Sequence, residues 1–276
     1  MMLQDFLPSP PLRDYVRVIQ VIHFVFPAGA VLPFKAYPPR PEQCLAFYPR
    51  DAEAVAYAGG AARQQRPRAA LIGQHAVVSN RYVGREFLAL QVVLQPGALH
   101  RLTGIPQPEL TNTFVDAEAV WPTELRCLNE RLSSTESPAE MLTHIEAFLL
   151  ERARRVRRAA HPADAVARLL LQPQAPASLD ALADQACLSA RQLDRKFTEH
   201  MGVGPRLYAR IARFDRAFRL KNSHPQLDWL SIALACGYYD HQHLAKDYRA
   251  FTGQSPGDFY RQDTQAPERH FGLLER

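Results

Sequence analysis

The chain has little cysteine, and none of it is arranged for chemistry: Cys44, Cys127, Cys187 and Cys236 lie far apart, with no C-x-x-C pair. A disulfide framework and a cysteine zinc site are therefore not expected, and a reducing cytoplasm is the expected compartment. No stretch reaches the ~18 uninterrupted apolar residues of a membrane span. The opening MMLQDFLPSPPLRDY lacks a basic segment followed by an apolar one, so neither secretion nor membrane association is expected. The barrel region also lacks a phosphate-binding glycine loop, a nucleophile elbow and a pair of acids near a histidine, which argues against an enzyme. His23, His75 and His100 are scattered, so metal-dependent chemistry lacks ligands. The expectation is no catalytic residue, no metal and no cofactor.

What is present fits a packed protein of more than one unit. The 276 residues exceed one modal domain of ~100–150 residues, and 47% are hydrophobic against 22% charged. With 33 basic and 28 acidic residues the net charge is +5, which permits a polyanionic partner without requiring one. From Tyr15 to about Gln95, the runs YVRVIQVIHFVF, QCLAFYP, AALIG and FLALQVVLQ are broken by Pro and Gly and predict an antiparallel barrel or sandwich. Phe24, Phe26, Tyr37, Phe47, Tyr48 and Phe87 either line a cavity there or fill its core, packing being the simpler reading. Arg40 and Glu42 are candidates to orient a polar ligand near His75.

From about Pro122 the hydrophobic period becomes helical. Leu125, Leu128 and Leu132 share one face, and Met141, Ile145, Phe148 and Leu149 share a second. These faces serve either a subunit contact or closure of the barrel within one chain, and both readings stay open. Arg152, Arg154, Arg155, Arg157 and Arg158 end the second helix, where basic residues suit the macrodipole. A further helix is expected over 164–171, followed by a Pro-containing joint at 172–178.

After Ser178 the chain is helical and repeats itself. Leu193, Phe197, Gly202, Pro205 and Tyr208 recur 51 residues later as Leu244, Tyr248, Gly253, Pro256 and Phe259. Upstream the offset is 50, with Leu182-Ala183 matched by Ile232-Ala233, so the second copy carries one extra residue in its turn. Each copy reads as helix, short turn, helix. Leu179, Leu182, Ala183 and Ala186 form one buried stripe, and Trp229, Ile232, Ala233 and Cys236 form its counterpart. Ser189 with Gln192 makes a capping box, and Asp240 stands as N-cap in the second copy. Arg191, Asp194 and Arg195 then share the outer face of one short helix, and His241, Gln242, Ala245 and Lys246 that of the other. Donor-rich faces of this kind suit base edges in the major groove.

Between the copies a long helix is expected to start at Pro205, with Leu207, Ile211, Phe214 and Phe218 as its apolar stripe. From 191 to 221 nine Lys/Arg face Asp194, Glu199 and Asp215, a local balance of +6, which suits phosphate neutralisation. Some of these arginines are expected to pair with acids such as Asp215. Ser189, Arg206, Arg210 and Asp240 are the candidate phosphate-side residues. A metal reading of His241 and His243 is weak, because no acidic partner falls at ligand spacing.

The stretch 178–262, above all ALACGYYDHQHLAKDYRAFTGQSPGDFYR, resembles the DNA-binding domain of AraC/XylS-type transcriptional regulators. The family pattern is met at Ile232-Ala233, Gly237-Tyr238, Asp240, Tyr248, Gly253 and Pro256, while Leu244 and Tyr248 stand where phenylalanine is usual. ALIGQH (70–75), LQPGALHRLTGIPQPEL (94–110) and FVDAEAVW (114–121) resemble the sensor half of a subset of these regulators. The resemblance implies an α+β protein: a cupin-like barrel with following helices over 1–158, and two helix-turn-helix units over 163–264. It implies a sequence-specific, ligand-responsive regulator with double-stranded DNA as partner. RNA polymerase, a small-molecule effector of unknown site and a second copy of the chain are further partners it admits; activator and repressor both stay open. The competing readings are a DNA-tethered cupin-like enzyme and a helical protein-interaction module.

Overall fold

Neighbouring residues in the central strands of this computed structural model serve two different cores. It describes residues 2–32, 34–57, 62–173, 178–266 and 269, so 174–177 of the expected joint lie outside the described residues. One antiparallel sheet runs in the order β1 (Met2–Phe6), β2 (Val16–Val25), β9 (Glu86–Leu94), β4 (Cys44–Phe47), β7 (Ala69–Ile72) and β10 (Phe114–Asp116). A second runs β3 (Phe34–Tyr37), β8 (Ser79–Tyr82), β5 (Ala54–Tyr57) and β6 (Gln64–Gln65). Leu45, Phe47, Leu71, Leu88, Leu90 and Val92 pack into one core, and Cys44, Ala46, Ile72, Phe87, Ala89 and Val93 into another. The period of two along a strand sorts them. Because both faces of this sheet are covered, its strands read as nearly continuous apolar runs.

Helices cover the first face. After α1 (Ala98–Thr103) and α2 (Ala117–Val120) come α3 (Pro122–Ser134) and α4 (Pro138–Arg155). Leu125, Leu128, Leu132, Met141, Ile145, Phe148 and Leu149 are all buried against the sheet. The apolar surface that motivated a subunit contact is thus used within one chain. Phe47 lies on this face as well, so it lines no cavity with its neighbour Tyr48, whose ring points to the other side. Between the sheets, Phe24, Phe87 and Gln91 face Lys35, Tyr37 and Arg81 around a space of about 40 Å³.

The C-terminal half is all helical: α5 (Pro162–Leu170), α6 (Leu179–Gln185), α7 (Ala190–Met201), α8 (Pro205–Ser223), α9 (Trp229–Ala235), α10 (His241–Thr252) and α11 (Pro256–Asp263). It has two cores. Leu182, Ala183, Leu193 and Phe197 join α5 residues in the first, and Ile232, Ala233, Leu244, Tyr248 and Phe259 form the second. Helix α8 runs between them, giving Tyr208 to one and Ile211, Phe214 and Phe218 to the other. No helix among the described residues is long and apolar enough to cross a membrane.

Candidate nucleic-acid interface

The two short turns close by the same hydrogen bonds. Cys187 donates its N–H to Asp184 (3.0 Å) and Leu188 to Ala183 (3.0 Å); Gly237 donates to Leu234 (3.1 Å) and Tyr238 to Ala233 (2.9 Å). This is a Schellman end, in which the residue after the C-cap takes a left-handed conformation. Gly237 does so at φ 80°, and Cys187 does so at φ 52° despite its side chain. Between this residue and the next N-cap the first copy has Leu188 alone and the second has Tyr238-Tyr239, which is the extra residue seen in the repeat.

The caps then launch equivalent helices. Ser189 Oγ accepts from the Gln192 N–H at 3.3 Å while Gln192 Oε1 accepts from the Ser189 N–H at 3.0 Å, and Asp240 Oδ1 accepts from the His243 N–H at 2.7 Å. Leu193 and Phe197, like Leu244 and Tyr248, point into the cores. Arg191, Asp194 and Arg195 are exposed on α7. Gln242, Ala245 and Lys246 hold the same positions 51 residues on, exposed except for the half-buried Ala245, with His241 exposed beside them. Arg191, Arg195 and Lys246 form no ion pair among the described residues.

Helix α8 turns its arginines into a groove of about 410 Å³ between the two units, lined by Arg206, Arg210, Arg213 and Arg216 with Leu182 and Cys236. Their surroundings differ. Arg206 is exposed and makes no ion pair among the described residues. Arg210 is committed to Asp247 of α10, whose buried carboxylate also meets Arg213 at 3.4 Å and the Tyr238 hydroxyl at 3.1 Å. Burial, then the Asp247 charge, pushes the Tyr238 phenol far above its ordinary range, so it remains a donor. Arg219 pairs with Asp215 at 2.8 Å, as the charge count led one to expect.

The N-terminal unit holds both helix-turn-helix units at their far ends. Thr111 Oγ1 donates to Gly202 O at 2.8 Å below α7, and the Val78 N–H donates to Phe251 O at 2.9 Å at the end of α10. Glu42, on the loop after β3, is raised by burial, yet Arg40, Arg17 and Arg219 outweigh this and hold its carboxyl below the usual range. Arg40 and Glu42 do line a small space with His75, together with Tyr37 and Arg81. The reading that scattered histidines leave no ligand set missed one grouping. His100 of α1 lies beside His200 and Glu199 of α7, donor atoms within 4.8 Å of one another. The two histidines are 100 residues apart, so spacing carried no signal.

Residues 182–262 match the family described as "Helix-turn-helix domain". A transcriptional regulator ArgR of Pseudomonas aeruginosa is 32% identical over 98 residues, covering 35% of this chain and 30% of its own. A transcriptional activator RhaS of Escherichia fergusonii is 30% identical over 128 residues, covering 46% and 38%. The matched stretch thus spans about a third of the length of these relatives. Among solved structures, ToxT from Vibrio cholerae aligns over 91% of this chain and 99% of its own with 9% identity and a TM-score of 0.49. The AraC-like activator CuxR aligns over 98% and 83% with 11% identity and a TM-score of 0.30. The C-terminal unit is a helix-turn-helix domain. It is similar to the AraC/XylS type that residues 178–262 resemble.

Proposed function

We propose that this chain is a sequence-specific DNA-binding transcriptional regulator that reads two major-groove segments with α7 and α10. The observation that carries the proposal is the equivalence of the two exposed faces, Arg191, Asp194 and Arg195 on one and Gln242, Ala245 and Lys246 on the other. Their chemistry matches base edges: arginine or lysine to guanine, glutamine to adenine, aspartate to the cytosine amino group, and an alanine methyl to thymine. His241 adds a donor at the start of α10. Ser189 and Asp240, as N-caps, set the helix starts against phosphate, and Arg206 neutralises the backbone together with the open edge of Arg210, which is 45% exposed. Enrichment of genomic duplex fragments by the full chain tests this. Recovery of one shared motif, bound with a steep salt dependence, supports it; recovery of random fragments refutes it.

In this proposal residues 1–158 are the sensing half and 163–264 the DNA-reading half, working in the cytoplasm. No catalysis is assigned to either. The space of about 40 Å³ between the sheets is far smaller than the ~300–1,000 Å³ of a ligand pocket. A small-molecule effector at that place therefore acts by parting the sheets. RNA polymerase and a second copy of the chain are the further partners proposed.

A further inference from the structure

We propose that His100, Glu199 and His200 bind one divalent transition-metal ion, with Zn²⁺ the best chemical fit, and that this ion clamps α1 of the N-terminal unit to α7. Their donor atoms already lie within 4.8 Å of one another, and tetrahedral zinc would draw two nitrogens and an oxygen to ~2.0–2.2 Å. Both imidazoles are held in one orientation from behind. His200 Nδ1 is 2.7 Å from Oδ1 of Asp164, a fully buried carboxylate whose Oδ2 accepts from the His161 N–H at 3.0 Å. His100 Nδ1 is 3.0 Å from the Ile105 carbonyl. A ring that donates from Nδ1 to an acceptor carries its lone pair on Nε2, and neither Nε2 has a protein partner among the described residues. A carboxylate or carbonyl behind each ligating histidine is the arrangement that fixes tautomer and direction in zinc sites.

The plain alternative is that the two rings, stacked with centroids 4.3 Å apart, simply pack across the interface. Packing does not account for Glu199 beside them. Its Oε2 meets Lys196 at 2.7 Å, but this pair is about one-third exposed and therefore weak, and Oε1 is left over. His161 is not a ligand as placed, because its Nδ1 accepts from the Ala163 N–H at 3.1 Å. A set of two imidazoles and one carboxylate suits zinc or cobalt better than calcium or magnesium.

The inference does not depend on DNA reading. Its test uses the metal-stripped full chain carrying Cys127→Ser and Cys187→Gly, which removes the exposed thiols. Titration with Co²⁺ is expected to give visible d–d bands saturating at one equivalent and abolished by Zn²⁺. His100→Gln and Glu199→Gln should each weaken Co²⁺ binding more than about tenfold, with unchanged circular dichroism. His224→Ala, at an exposed histidine outside both the cluster and the reading helices, should leave Co²⁺ binding unchanged. Zn²⁺ should raise the melting temperature of the parent chain and not that of His100→Gln. Absence of saturable bands, or equal affinity in the parent and Glu199→Gln, overturns the site; saturation without a rise in melting temperature overturns the clamp.

Discussion

Arg210 donates to Oδ1 of Asp247 through both Nε and a terminal nitrogen, at 3.1 and 2.7 Å, and this fork ties the linking helix α8 to the second reading helix α10. Asp247 is almost fully buried, while Arg210 is half in solvent. Removing the two ends therefore has unequal consequences. Asp247→Ala leaves Arg213 and the Tyr238 hydroxyl without their acceptor and is expected to cost about 3 kcal/mol in urea unfolding. Arg210→Ala leaves the carboxylate two other donors and should cost about 1 kcal/mol. Equal losses would show that the carboxylate is not the hub.

Base reading and phosphate contact separate by substitution. Arg191→Ala and Arg195→Ala should each lose about 1–3 kcal/mol of binding to a selected duplex and relax preference at one base pair. Arg206→Ala should weaken selected and random duplexes alike and reduce the salt slope by about one. Fluorescence anisotropy over a salt series distinguishes these outcomes. Equal losses on both duplexes for all three variants contradict the roles assigned.

The left-handed turn residues predict opposite signs for two substitutions. Gly237→Ala puts a Cβ on a backbone at φ 80° and should cost about 1 kcal/mol. Cys187→Gly relieves the same strain at φ 52°, and because the larger unfolded-state entropy of glycine offsets part of this relief, it should be neutral or slightly stabilising. Urea midpoints of the two variants read this directly. A loss at Cys187→Gly as large as that at Gly237→Ala would contradict it.

The helical half was legible because its signals are local. Capping residues and stripes of apolar positions lie within one turn or one helix of each other, the repeat at 51 residues presents them twice, and Ser189, Pro205 and Asp240 stand where those signals put them. Less was legible where faces meet. Nothing in Leu125, Leu128 or Leu132 says whether a sheet of the same chain or a second copy covers them; burial against β-strands answers that. Phe47 and Tyr48 are both aromatic in sequence, and only the strand register assigns them to different sides. Arg210 reads as a free cation until Asp247 arrives from 37 residues away. His100 and His200 meet only through the packing of α1 on α7.

Acid should loosen the N-terminal unit through His75. Burial, with the Arg81 and Arg66 charges, lowers its imidazole to about 3 from an ordinary value near 6.5. The unfolded chain therefore binds a proton that the folded chain refuses. This group's contribution to stability is fully present above about 6.5 and is lost as pH falls toward 3, with a slope of up to about 1.4 kcal/mol per pH unit. Melting temperature should drop between pH 6.5 and 4, and His75→Gln should flatten that drop. An unchanged slope in His75→Gln would assign the effect to other groups.

The central claim, that α7 and α10 read adjacent major-groove segments, is tested most directly by hydroxyl-radical footprinting and base-interference mapping of the full chain on a selected duplex. One chain should protect two segments about one helical turn, ~34 Å, apart. In the Gln242→Ala/Lys246→Ala variant, interference should vanish in one segment and persist in the other, with Arg191→Ala/Arg195→Ala giving the converse. A single protected segment, or loss across both segments in either variant, would contradict the account.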